Sequence, residues 1–210
     1  MNDNIETKQL TPREAYWQKK RADRWIKQVA FHEAGHTVCA HLLDTEIEHV
    51  AICVKDGSGY CQAGASHPEQ YVIRLYAGLI GQNFAYRRLS WLERLGSDTD
   101  EAYAEETLRE LEGFPKRSVW TAEEAKYFQR RINRRSRFFR RLCNRMMTCP
   151  CSRHAVEVFA GVLMERQELG GEEATSIITE ARQHCHQLLE NIKCGCDGFG
   201  YWMRRGKSEL

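Results

Sequence analysis

Two histidines and a glutamate within five residues are the part of this 210-residue chain best suited to chemistry. His32 and His36 are four residues apart, so on a helix both imidazoles lie on one face. A divalent metal held there could activate a water molecule. Glu33 could then act as the general base that deprotonates this water and returns the proton to a leaving amine. The spacing therefore predicts a hydrolytic metal site with His32 and His36 as ligands.

The same stretch also fits an ordinary helix, and the two interpretations differ in what stabilises its polar groups. The helical period predicts an inward-facing stripe made of Ala22, Trp25, Ile26, Val29, Glu33, His36, Ala40 and Leu43. A carboxylate and an imidazole within an apolar stripe are costly to bury without partners. A metal ion provides that partner, whereas the structural alternative requires other polar side chains to reach both groups, so we favour the metal.

A third ligand has to come from elsewhere, because a catalytic zinc site generally has three protein ligands and one open position for water. The sequence predicts a helix that starts at Ser97 or Asp98 and ends at Gly113. Its period places Asp100 on the apolar face and turns Asp98 away from it. Asp100 is therefore the candidate ligand. The alternative is a carboxylate near a helix start, which the helix dipole favours without any metal, and helical phase alone does not decide between the two.

The remaining pattern predicts a mainly α (α+β) fold in which a small β-hairpin lies beside the helix that carries the histidines. Strands are expected at residues 47–54 and 60–65, joined by a turn at 56–59. An exposed edge of such a hairpin can bind an extended peptide, so Gly59, Tyr60 and Cys61 are the predicted substrate-binding segment. Further helices are expected at residues 66–89, 97–113, 121–146, 153–167 and 174–192. The predicted organisation is an N-terminal arm (1–20), one folded domain (21–192) and a tail rich in glycine and aromatic residues (193–210).

The net charge of +2 conceals one strongly basic segment. Residues 116–145 contain eleven lysines and arginines but only two glutamates, within an Arg-rich helical segment at 116–148. Its arginines could bind phosphates or an acidic protein. The alternative is a solvated face on a helix that packs an apolar stripe into the core. That stripe, which only Arg135 interrupts, consists of Ala125, Phe128, Ile132, Phe139, Leu142 and Met146.

The composition bears on the compartment and on further metal sites. No apolar run of about 18 residues is present, which argues against a membrane span, and the polar first ten residues argue against a secretory signal. Nine cysteines without a signal predict mostly free thiols and a cytoplasmic protein. The pairs Cys149/Cys151 and Cys194/Cys196 could bind a second metal with nearby histidines, but their spacing matches none of the common zinc patterns.

Several segments together resemble the peptidase domain of the FtsH-type AAA zinc metalloproteases. Residues 30–38 (AFHEAGHTV) resemble the zinc helix of that family, and residues 76–82 (YAGLIGQ) resemble the helix that follows. Residues 96–100 (GSDTD) are similar to the segment that supplies the family's aspartate ligand, which in this alignment is Asp100. Residues 160–166 (AGVLMER) and 169–174 (LGGEEA) resemble its closing helices. The similarity extends over about residues 22–190 and implies a helical, zincin-like metallopeptidase with Zn²⁺ as cofactor.

The sequence also departs from that family. Membrane and ATPase modules precede the peptidase domain in the family, and this sequence contains no phosphate-binding loop; Gln82 and Asn83 replace the small and acidic residues usual after the family's glycine. We therefore expect an endopeptidase that hydrolyses unfolded or loosely structured proteins, alone or with a separate unfoldase. The alternative is a non-catalytic, zinc-stabilised protein that binds nucleic acid or an acidic partner through the Arg-rich helix. Such a protein would not need Glu33.

Overall fold

A computed structural model describes residues 11–86, 95–114 and 120–188. Its elements are α1 (Pro12–Leu42), β1 (Ile47–Cys53), β2 (Ser58–Ala63), α2 (Pro68–Ala85), α3 (Leu95–Leu111), α4 (Ala122–Met147), α5 (Pro150–Arg166), β3 (Glu168–Gly170) and α6 (Gly171–Leu188). The mainly helical architecture and the hairpin are confirmed. The first ten residues of the predicted arm and the whole predicted tail lie outside the described residues, while residues 12–20 belong to α1.

Helix α1 begins with a capping box and changes character along its length. The Thr11 side chain accepts a hydrogen bond from the Glu14 backbone, and the Glu14 carboxylate accepts one from the Thr11 backbone. The first half of α1 is exposed, so the predicted inward stripe is wrong at Ala22 and Trp25. From Ala30 to Ala40 every residue is buried, because other elements surround this half on all sides.

Helices α1 and α2 approach each other closely through glycines. A Cβ on Gly35 would lie 2.3 Å from the carbonyl oxygen of Ala77, and a Cβ on Gly81 would lie 2.1 Å from that of Phe31. These pairs show that the two helices run antiparallel. Because a side chain at either glycine would collide with backbone, glycine is what allows α2 to lie directly against the histidine-bearing half of α1.

The sheet has three strands in the order β2-β1-β3, one more than the sequence predicted. Strand β1 pairs antiparallel with β2, where Ala51 faces Tyr60, and also with β3, where Val50 faces Leu169. The sequence indicated only a gap between the helices expected at residues 153–167 and 174–192, since a three-residue strand has too little pattern to recognise. Strand β2 forms one edge of this sheet and runs along α1.

Helix α4 packs its apolar stripe into the core much as predicted. Ile132, Phe139 and Met146 are buried, whereas Ala125, also assigned to the stripe, is exposed. Arg135, which interrupts the apolar stripe, pairs with Glu112 just after α3. The Glu112 side chain is only 4% exposed, and its carboxylate lies 2.5 Å from Nε of Arg135. The arginine thus stays near the core because it neutralises a buried carboxylate.

The cysteines follow the expectation of mostly free thiols. Among the described residues, Cys39, Cys53, Cys61, Cys143 and Cys185 are free thiols, and Cys149 is disulfide-bonded. Cys185 is buried beside Cys151. Cys194 and Cys196 lie outside the described residues. Among the described helices, none has a stretch of sufficient length and apolarity to cross a membrane.

Candidate metal centre

Three side chains from distant parts of the chain direct their donor atoms to one point. The Nε2 atoms of His32 and His36 lie 2.9 Å apart, and Oδ2 of Asp100 lies 2.9 Å from the first and 3.2 Å from the second. Among the described residues, this is the one group of three or more His, Cys, Asp or Glu side chains arranged to hold a metal ion. The structure therefore brings together all three residues predicted as ligands.

Each ligand is positioned by its own helix. His32 and His36 are one turn apart on the buried half of α1, so their rings project to the same side. Asp100 projects from the first turns of α3, on the face that also buries Ala104 and Leu108, whereas Asp98 is exposed. Helical phase predicted this difference between the two aspartates, but it could not show that α3 packs with that face toward the histidines.

Helix α2 supplies the surroundings that orient the imidazoles. Nδ1 of His36 lies 2.8 Å from the carbonyl oxygen of Arg74, and since a carbonyl only accepts, Nδ1 carries the proton. In the neutral imidazole with this tautomer, the lone pair is on Nε2, which is the atom that would bind a metal. A Cβ on Gly78 would lie 2.5 Å from Nε2 of His36 and 2.6 Å from Cε1 of His32. The two imidazole rings therefore fill the space that a side chain on Gly78 would otherwise occupy.

The electrostatics of the three residues agree with a site built for a cation. Burial disfavours the charged imidazolium of His36, but Asp100 and Glu33 outweigh that effect and raise the pKa of His36 to about 9. Partial burial opposes ionisation of Asp100, but the hydrogen bonds from His32 and His36 hold its pKa well below the usual range. The site therefore favours a negative carboxylate facing positive charge, which either a proton or a metal ion can supply.

The donor set is compatible with a small divalent ion. Two imidazole nitrogens and one carboxylate oxygen are common ligands of zinc in catalytic sites. Zinc–ligand bonds of about 2.0–2.1 Å in tetrahedral geometry place ligand atoms roughly 3.3 Å apart. The observed separations of 2.9–3.2 Å are close to this value. The alternative interpretation of Asp100 is a carboxylate that lies near the start of α3 because the helix dipole favours it there. That interpretation does not account for the contacts of Asp100 with both histidines.

Glu33 lies beside the metal-binding group and faces the same cleft. The residue is 6% exposed, and burial raises the pKa of its carboxyl, with the two histidines offsetting this only in part. Strand β2 covers it closely, since a Cβ on Gly59 would lie 2.8 Å from Cγ of Glu33. The cleft has a volume of about 400 Å³, and its lining includes Glu33, all three metal-binding side chains, Gly59 and Tyr60. A substrate in this cleft would therefore contact both the metal ligands and the carboxylate.

The predicted substrate-binding segment divides between the two faces of β2, because Gly59 and Cys61 face α1 and Tyr60 lies on the opposite, exposed face. Tyr60 is 52% exposed, and together with Gly59 it lines the cleft. The Cys61 side chain instead lies against α1, where the Thr37 hydroxyl donates to its Sγ at 3.4 Å. Burial raises the pKa of the Cys61 thiol to about 12, so the thiol is no nucleophile at neutral pH.

Two glutamines also line the cleft. Gln28 and Gln82 are 2% and 5% exposed. Sequence reasoning did not identify Gln28 and noted Gln82 only as a departure from the family pattern. The available signal was position, since Gln28 precedes His32 by one helical turn and Gln82 follows Gly78 by one turn.

The Arg-rich helix is partly committed to contacts within the protein. Arg131 and Arg135 pair with Glu112, while Arg140 pairs with Glu101 at 2.9 Å and lies over the ring of Tyr76. The other arginines of the Arg-rich helix are all exposed, and they are Arg130, Arg134, Arg137, Arg141 and Arg145. Part of the positive charge thus stabilises α3 against α4, and the rest faces solvent.

Comparison with known proteins does not assign the chain to a family. No protein-family model matches it, and no curated protein is similar to it in sequence.

Proposed function

We propose that this protein is a zinc metalloendopeptidase with a zincin-like fold, similar to the peptidase domain of the FtsH-type proteases, that hydrolyses unfolded or loosely structured polypeptides. The observation that carries the proposal is the convergence of His32, His36 and Asp100 beside the buried Glu33 in an open cleft. A purely structural zinc site almost always has four protein ligands, whereas the described residues supply three here, as in catalytic sites where water takes the fourth position.

The residues of the chain divide the work of peptide hydrolysis. His32, His36 and Asp100 would hold the zinc, which when bound polarises the scissile carbonyl and lowers the pKa of a water molecule. Glu33 accepts the proton of that water, and its raised pKa suits it to return the proton to the leaving amine. Strand β2 lies at the sheet edge beside Glu33, where an extended peptide could add as a further strand.

The experiment that tests this proposal uses the substitution Glu33→Gln. Glutamine keeps the size of the side chain but cannot accept the proton, so zinc content should stay near one per chain while casein cleavage falls by about 10²- to 10⁴-fold. Glu106→Gln, which removes an exposed carboxylate of α3, serves as the matched control and should cleave like the wild type. Chelation should abolish cleavage and added zinc should restore it, with no effect of ATP.

Two results would contradict the proposal. A zinc-loaded wild type that cleaves no unfolded protein, with or without added unfoldases, would favour the non-catalytic alternative that acts through the Arg-rich helix. Equal cleavage by wild type and Glu33→Gln would show that Glu33 is not the base or that another protease is present.

A further inference from the structure

Two buried glutamines near the metal centre have polar atoms that the fold itself does not use. Nε2 of Gln28 and Oε1 of Gln82 make no hydrogen bond to any of the residues the structure describes. Both side chains are more than nine-tenths buried, and both line the cleft that contains His32, Glu33 and Asp100. Burying an amide without a partner destabilises a protein, so two such groups in one cleft indicate a site for a polar ligand.

The two glutamines, hereafter the glutamine pair, lie on the same side of the metal centre. Gln28 is four residues before His32 on α1, and Gln82 is four residues after Gly78, the glycine that contacts both histidines. Because α1 and α2 run antiparallel, four residues back along α1 and four residues forward along α2 lead in the same direction from the metal centre. Four residues correspond to about 6 Å along a helix axis, so the glutamine pair is displaced from the metal centre by about the length of an extended side chain.

The fully buried, unpaired atoms of the glutamine pair are one donor and one acceptor. Nε2 of Gln28 can donate to a carbonyl oxygen, and Oε1 of Gln82 can accept from an amide N–H. A primary carboxamide has both complementary groups on one carbon. A carboxylate would satisfy the donor but not the acceptor, and an aliphatic side chain would satisfy neither.

We propose that the glutamine pair is a specificity subsite that binds the side-chain carboxamide of a glutamine or asparagine next to the scissile bond. This inference rests on the proposed peptidase function. A peptide main chain would pair with the edge of β2, so the group that reaches the buried glutamine pair is a side chain. The Trp25 indole donates a hydrogen bond to the carbonyl oxygen of Gly57 at 2.8 Å, and both residues line the same cleft. This hydrogen bond therefore holds in place the part of the cleft wall that the two residues form.

The test compares peptides that differ at a single residue. A series with Gln, Asn, Glu or Leu on either side of one cleavable bond is digested by the zinc-loaded protein, and kcat/KM is measured for each member. We expect a preference for Gln or Asn over Leu of about 10- to 100-fold at one of the two positions, the cost of leaving buried amide groups unpaired. Binding of the same peptides to Glu33→Gln, followed by fluorescence anisotropy, provides a readout that needs no turnover.

Variants assign the preference to the glutamine pair. Gln28→Met and Gln82→Met each remove hydrogen bonding at nearly constant volume and should reduce the Gln-to-Leu ratio to below about threefold. Gln18→Met changes an exposed glutamine of the same helix α1 and should retain the wild-type ratio. Zinc content and melting temperature are measured for each variant to detect loss of the fold.

The outcomes separate the subsite from the proposed function. If wild type cleaves every peptide with a Gln-to-Leu ratio near one, the subsite is overturned while the peptidase proposal stands. If wild type cleaves none, the peptidase proposal fails, and equal affinities of Glu33→Gln for the Gln and Leu peptides then overturn the subsite as well. If the methionine variants raise the melting temperature but keep the preference, the glutamine pair has no part in specificity.

Discussion

The substitution Gly78→Ala tests whether the space left by this glycine sets the geometry of the metal centre. The added Cβ would lie 2.5 Å from Nε2 of His36 and 2.7 Å from Nε2 of His32. To reach an ordinary contact of 3.4 Å, the nearer ring atom has to move by about 0.9 Å. Metal–ligand distances tolerate only about 0.2 Å, so both ligands are displaced beyond what zinc binding allows.

The expected magnitude follows from this displacement. Loss of an outer-shell contact alone typically costs 10- to 100-fold in metal affinity, and here two ligands move at once. We therefore expect zinc affinity to fall by at least about 100-fold, which corresponds to about 2.8 kcal/mol. Competition with a chromophoric chelator measures this directly. Cleavage of casein should be lost with the metal.

Gly161→Ala is the matched control. Gly161 also lies within a helix, α5, and a Cβ there meets nothing within 4 Å. Both substitutions gain about 1 kcal/mol of helix propensity, so the difference between them isolates the collision with the histidines. Gly161→Ala should keep its zinc and melt at or above the wild-type temperature. Zinc affinity of Gly78→Ala within threefold of wild type would refute the reasoning.

Three further predictions concern the ligands, the pH dependence and the basic surface. Asp100→Ala should lose zinc while Asp98→Ala keeps it, because only Asp100 reaches the histidines; equal zinc retention by metal analysis would contradict this. The metal-free protein should lose stability as pH rises, because the raised pKa of His36 contributes to the free energy of unfolding; this contribution is complete below about pH 6.5 and is lost through about pH 9. The zinc-loaded protein should show no such loss, and melting temperatures measured across this pH range test the difference. The exposed arginines, Arg134 and Arg141 among them, should bind nucleic acid only weakly and with strong salt dependence, and tight sequence-selective binding at physiological salt would contradict that.

Local patterns in the sequence were sufficient for most of the elements. The spacing of His32 and His36 requires only that the segment be helical, and helical phase alone places Asp100 rather than Asp98 on the buried face of α3. The hairpin was predictable because its β-branched residues flank a glycine-containing turn. These features depend on neighbours within a few residues, and the sequence by itself therefore determined them.

Other features depend on segments far apart in the chain, and only the tertiary structure decided them. Periodicity shows that Asp100 faces inward but not which inward groups it meets, because that depends on how α3 packs against α2 and α1. The exposure of Trp25 was wrongly predicted because the helical period continues beyond the point where other elements cover α1. The glutamine pair likewise has no sequence signature, since two polar residues 54 positions apart share a cleft only because glycines allow α1 and α2 to pack in contact.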